Sequence, residues 1–152
     1  MSVTLEAIKD AQAKIVAMIG EFESLAQPTI LGIHAASVIE LMPGERYIGS
    51  IRSADGSRNH HLILLPGDND DADWKSQMAW AEANGGELPD RVEGALLFAT
   101  MPDEFKKEAY WTRETHASYA DCAWCQDFVY GYQHSFRKDT KLRARAVRRL
   151  PI

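Results

Sequence analysis

The sequence predicts an α+β domain preceded by an N-terminal amphipathic helix, and three observations carry that expectation. Apolar residues recur in alternating steps of three and four from Leu5 to Ala26, the repeat of one helix face. Runs rich in β-branched and aromatic residues lie on both sides of the chain's middle, and one of them flanks the hairpin signal Asp55-Gly56. Between them sit two short helical segments with no βαβ alternation. Helices are thus segregated from antiparallel strands, which defines the α+β class and disfavours a Rossmann-type nucleotide fold. The 152 residues, 45% apolar and 26% charged, suit one globular domain with an appendage. No apolar run approaches the length of a transmembrane helix.

The first helix starts at a cap, Ser2 or Thr4, with Glu6 in its first turn. Its seam, Leu5, Ile8, Gln12, Ile15, Ile19, Phe22 and Ala26, follows a heptad with one polar position at Gln12. Leu5, Ile8, Gln12, Ile15, Ile19 and Phe22 are the candidate residues for self-association into a homo-oligomer. The second reading is a helix packed on its own domain, because Val16, Met18 and Leu25 widen the stripe. Gln27-Pro28 ends the helix, so residues 1–28 form a possible oligomerisation segment and 29–152 the domain.

The stretch TILGIHAASVIELMPGERYIGSI reads as strand material broken at Pro43-Gly44. Residues 46–51 and 60–65 form the hairpin, and 66–71 follow as a loop. WKSQMAWAEANGG is a short helix that starts at Asp71 or Asp73 and stops at Gly85-Gly86; RVEGALLFATM, opened by Pro89-Asp90, is a second. AYWTRE, CAWCQDFVYGYQHSF and KLRARAVRRL return to strand. In the last, Ala144 and Ala146 are expected on one face and Arg145, Val147 and Arg149 on the other.

Three blocks in fixed order carry a resemblance: ADWKSQMAWAEANGGELPDRVEGALLFA, AYWTRETHASYADCAWCQDFVYGYQ and RARAVRRL. Over residues 45–150 the chain resembles the Lcl C-terminal-domain family, a domain of unknown function common in prophages. The resemblance implies a C-type-lectin-like fold, antiparallel strands with two short helices, a scaffold shared with formylglycine-generating enzymes and with retroelement-diversified binding proteins. Tyr110, Trp111, Trp124 and Phe128 would supply its core. The lectin calcium signature is absent, and Cys122 and Cys125 do not sit in the formylglycine-enzyme copper motif. The resemblance therefore implies neither calcium-mediated sugar binding nor a catalytic residue, and the scaffold hosts unrelated activities.

Several clusters invite chemistry. Cys122-Ala-Trp-Cys125 has C-x-x-C spacing but sits in a strand context, where its thiols face opposite ways and lack a helix dipole. Zinc would need His116 and His134 as further ligands. His60-His61 occupies a strand, so one ring is expected inside and one outside. Asp68, Asp70, Asp71 and Asp73 crowd one loop without EF-hand spacing and read as caps and a solvated turn. No phosphate-binding glycine loop or nucleophile elbow appears. No cofactor and no metal site are expected.

The segment 112–136 sets Arg113, Glu114, His116, Tyr119, Asp121, Gln126, Tyr130, Tyr132 and His134 between core aromatics, the composition of a recognition surface. These are the candidate partner-binding residues, for a protein or glycan ligand. Residues 137–152 hold seven Lys/Arg against one acid, while the first 136 hold ten basic and twenty-one acidic residues. The basic end is expected to neutralise the acidic body, and the overall charge of −5 disfavours nucleic-acid binding. With no signal-peptide pattern and two cysteines, the expected site is the host cytoplasm or the virion, with no membrane partner. The expected function is a non-enzymatic prophage-type binding module. The alternatives are a mobile-element inhibitor of a host defence protein and an enzyme on the formylglycine-type scaffold.

Overall fold

The computed structural model describes residues 4–26 and 39–152, in two compact units, Met1–Val38 and Ile39–Ile152. Expectations that fall on residues 1–3 and 27–38, among them the Ser2 cap and the strand expected through 29–38, lie outside the described residues.

In the first unit, helix α1 spans Leu5–Ala26. The Thr4 hydroxyl accepts a hydrogen bond from the Ala7 amide at 3.3 Å, so Thr4 caps the helix as expected. Leu5, Ile8, Gln12, Ile15, Ile19 and Phe22 are all exposed on it.

The second unit begins without a strand. Residues 39–45 lead through the turn at Pro43-Gly44 into β1 (Arg46–Arg52), which pairs antiparallel with β2 (Asn59–Leu64). β3 (Asn69–Ala72) replaces the loop expected at 66–71, because Asn69 and Ala72 pair with a later strand. Helices α2 (Trp74–Ala83) and α3 (Arg91–Thr100) follow. Asp73 caps α2, accepting from the Ser76 amide. Asp90 and Glu93 close a reciprocal capping box on α3. Gly85 takes φ +79 at the α2 exit, and a side chain on Gly86 would strike the Val147 carbonyl at 2.5 Å. The Gly-Gly pair therefore serves both the left-handed turn and a close backbone approach.

After α3 come β4 (Ala109–Thr115), β5 (Cys122–Asp127), β6 (Gln133–Arg137), β7 (Leu142–Ala144) and β8 (Val147–Pro151). Two sheets result, β1-β2-β8 and β3-β7-β4-β5-β6. The terminal run expected as one alternating strand is two strands in different sheets, separated at Arg145-Ala146. Ala144, Arg145, Ala146 and Val147 are consequently all buried, because the chain crosses from one sheet to the other through the core. CAWCQDFVYGYQHSF likewise divides into a hairpin, β5 and β6, rather than running as one strand.

The α+β class is as the sequence predicts. The core has two apolar clusters. One gathers Leu65, Ala81, Leu88, Trp111, Ala123, Cys125, Ala144 and Ala146. The other gathers Leu62, Leu64, Leu97, Phe105, Tyr110, Phe128 and Val147, with Phe105 stacked on Phe128 at 3.9 Å. Burying a side chain such as Phe128 contributes about 1.5–3 kcal/mol. Trp124, expected in this core, is only half-buried.

Candidate functional site

The β5–β6 hairpin carries most of the candidate binding residues, and its register decides which of them share a face. Trp124 lies opposite Ser135, Cys125 opposite His134 and Gln126 opposite Gln133. Cross-strand partners project to the same side. Cys125 and Ala123 therefore look toward the first core cluster, and His134 and Phe136 look the same way. β6 is the last strand of its sheet, so that face runs past the buried core into solvent.

There the rings form a ladder. Tyr130 and Tyr132 have centroids 6.3 Å apart, Tyr132 and His134 6.1 Å, and His134 and Phe136 6.3 Å. Tyr130 is 77% exposed and Tyr132 63%. The turn that delivers them is tightly held. The Asp127 carboxylate accepts from the Tyr130 amide at 2.8 Å, and the Asp127 amide donates to the Tyr132 carbonyl. Gly131 sits at φ +84, with the Phe98 ring of α3 where a side chain would be. Only glycine combines that backbone with that contact. The ladder thus stands on a turn clamped to a helix.

The opposite face is engaged with the protein itself. Gln126, a candidate binding residue, is buried, with its amide donating to the Asp127 and Gly131 carbonyls and accepting from Gln133. It packs against Gly94 of α3 and is not available to a partner. Glu114 accepts the Arg91 amide at the start of α3. His116 stacks on Trp124 at 5.1 Å, with Tyr119 5.0 Å from His116. Arg91 lies 3.7 Å from the Trp124 ring while its Nε donates to Gln133. Arg113 and Asp121 form exposed ion pairs with Glu87 and Arg137, each at 3.5 Å. The nine candidates are therefore not one surface: Tyr130, Tyr132 and His134 share the ladder, and the other six lie off it. Phe136, which completes the ladder, was absent from the expected set; its i, i+2 spacing from Tyr132 and His134 was the available signal.

A second polar centre lies under α3. Glu93 is fully buried and accepts from both Arg149 Nε at 2.6 Å and Nη2 at 2.7 Å, from His60 Nε2 at 2.9 Å and from the Asp90 amide at 2.8 Å. Burial pushes its carboxyl up, but the Arg149 hydrogen bonds and the Asp90 amide outweigh it and hold the group below its ordinary value. Arg149 also pairs with Glu87, and Arg58 with Asp90 at 3.4 Å. His60 and His61 are both half-buried, rather than one in and one out. His61 bonds the Tyr47 hydroxyl at 3.1 Å.

The acidic loop is divided in the same way. Asp68 and Asp70 pair with the buried Arg143 at 2.9 and 3.1 Å, and Asp73 caps α2. Asp68 also accepts from the Tyr110 hydroxyl, whose pKa burial and that carboxylate push up to about 12. Arg148 pairs with Glu45 at 2.7 Å. The basic C-terminal run thus neutralises acids drawn from the whole unit, as its charge balance predicts. Cys122 and Cys125 lie on opposite faces of β5. Burial pushes the Cys125 thiol up to about 11; burial and the Asp121 carboxylate raise Cys122. Among the described residues, no three metal-ligating side chains gather, and no helix is long and apolar enough to cross a membrane.

No family model matches the chain, and no curated protein matches it.

Proposed function

We propose that this chain is a non-enzymatic binding module, of C-type-lectin-like architecture and prophage type, that recognises a protein or glycan partner through the aromatic ladder of the β5–β6 turn and β6. The observation that carries the reading is the contrast in engagement along one strand pair. Four rings, Tyr130, Tyr132, His134 and Phe136, face solvent on a rigid edge, while the polar groups behind them are bonded to one another. Aromatic rings with polar tips give large contact area at small rotamer cost. The last strand, β8, returns to pair with β2, and α2 and α3 lie between them along the chain, which supports the lectin-like reading. Among the residues with catalytic character, Glu93 is held by Arg149 and hydrogen-bonded to His60, and the Cys125 thiol is raised by burial, which supports a binding role over a chemical one. Assembly of copies through α1 would raise avidity without new contacts.

The test is a glycan array and a pull-down from host lysate, each run with the full chain and with Tyr130→Ala/Tyr132→Ala. A ligand held by the wild type and lost by the double variant supports the ladder. Equal retention by both removes it. A single stoichiometric host protein as that ligand favours the inhibitor form of the same role.

A further inference from the structure

We propose that α1 joins at least three copies of the chain in a parallel, in-register bundle. The inference rests on the reading of the protein as a multivalent binding module and adds the partner, the orientation and the minimum number. Steps of three run from Leu5 to Ile8, Gln12 to Ile15 and Ile19 to Phe22, with steps of four between. That order places Leu5, Gln12, Ile19 and Ala26 at heptad a and Ile8, Ile15 and Phe22 at d. Ile15, Met18, Ile19 and Phe22 bound an apolar hollow on the helix surface, with Glu23 at its rim. Residues at i, i+3, i+4 and i+7 are the four corners of a hole that receives one knob from a facing helix. In a parallel copy at equal height, the side chain that meets this hole is Ile19.

Orientation follows from Gln12, the one polar residue of the seam. In a parallel bundle its layer contains only its own copies, and the amides satisfy one another. In an antiparallel bundle matching Leu5 to Phe22, Gln12 faces Ile15 and loses its partner, a costly burial. Number follows from shape. Leucine at a with isoleucine at d, as in Leu5 with Ile8, and isoleucine at both, as in Ile15 with Ile19, favour three or four strands over two. Ala11 and Met18 at g and Val16 at e are exposed, a stripe wider on the g side than a two-helix seam uses, while Lys9 and Glu23 hold the other e positions. Glu6, Asp10, Lys14 and Glu21 fall at b, c and f and stay in water.

Light scattering on the full chain should give three or more chain masses. Leu5→Cys, in a Cys122→Ser background, should form disulfide-linked pairs on mild oxidation. Ile15→Asp should give the monomer with an unchanged tryptophan-fluorescence unfolding midpoint, because all four tryptophans lie in 39–152. A wild type of one or two chain masses overturns the proposal. So does an Ile15→Asp variant of undiminished mass, or linkage only when Leu5→Cys is mixed with Phe22→Cys. If the binding reading holds while assembly fails, a ligand bound by the wild type remains sensitive to Tyr130→Ala/Tyr132→Ala. If assembly holds while the binding reading fails, the masses stand and that sensitivity is absent.

Discussion

The aromatic ladder stands at the edge of the five-stranded sheet, the Glu93 centre joins α3 to the three-stranded one, and they use their polar and aromatic residues in opposite ways. Around Glu93, each charged group finds a charged or backbone partner, and the carboxylate is fully buried. Along the β5–β6 turn and β6, the rings touch mainly one another and the solvent. A buried charge pair costs more to break than it gains over an apolar substitute, so the first region is committed to the fold. Exposed aromatic side chains on a fixed frame gain area only when something covers them. The polar centre specifies structure, and the ladder is the surface left to spend.

The largest effect that tests this contrast should come from Glu93→Gln. It strips Arg149 and His60 of their shared carboxylate and should cost about 3–5 kcal/mol in chemical unfolding. The wild type should also lose stability on the acid side. A carboxyl held below its ordinary value of 4.5 stabilises the fold above that value, and the stabilisation drains as pH falls through the lowered one. Glu93→Gln should flatten that acid limb. A variant as stable as wild type, with the same acid limb, would break the assignment of this centre to the fold.

Gly131→Ala should come next. It forces a left-handed backbone on alanine and drives a methyl into Phe98, costing about 1–3 kcal/mol by the same measurement. Because the turn aims Tyr130 and Tyr132, a ligand of the ladder should also weaken. That joint loss would show that the frame and the surface meet at this residue.

The comparison also explains what the sequence revealed. The helices were legible because Asp73, Asp90 with Glu93, and the left-handed Gly85 punctuate them through local geometry. The hairpin at Asp55-Gly56 and the neutralising role of the basic C-terminus were legible for similar reasons, one from turn chemistry and the other from charge counting. The division of 142–151 between two sheets was not, since Ala144 to Val147 alternate in sequence like any strand and only tertiary pairing breaks them. The same limit applies to the site. Gln126 and His134 have the same polar character in sequence, yet one register position apart they face opposite sides, and α3 covers only one of those sides. Glu93 passed unnoticed because a capping-box glutamate is usually a surface residue; its burial depends on Arg149, fifty-six positions away.

The smallest effect on stability and the largest on binding should come from the same change. Tyr130→Ala/Tyr132→Ala should move unfolding by no more than about 0.5 kcal/mol. The most direct measurement is therefore the affinity of that double variant for a ligand captured by the wild type, taken beside its unfolding midpoint. At least a tenfold loss of affinity, the scale of interface hot spots, with an unmoved midpoint is the expected result. Unchanged affinity, or affinity lost only together with the fold, would contradict the assignment of recognition to the ladder.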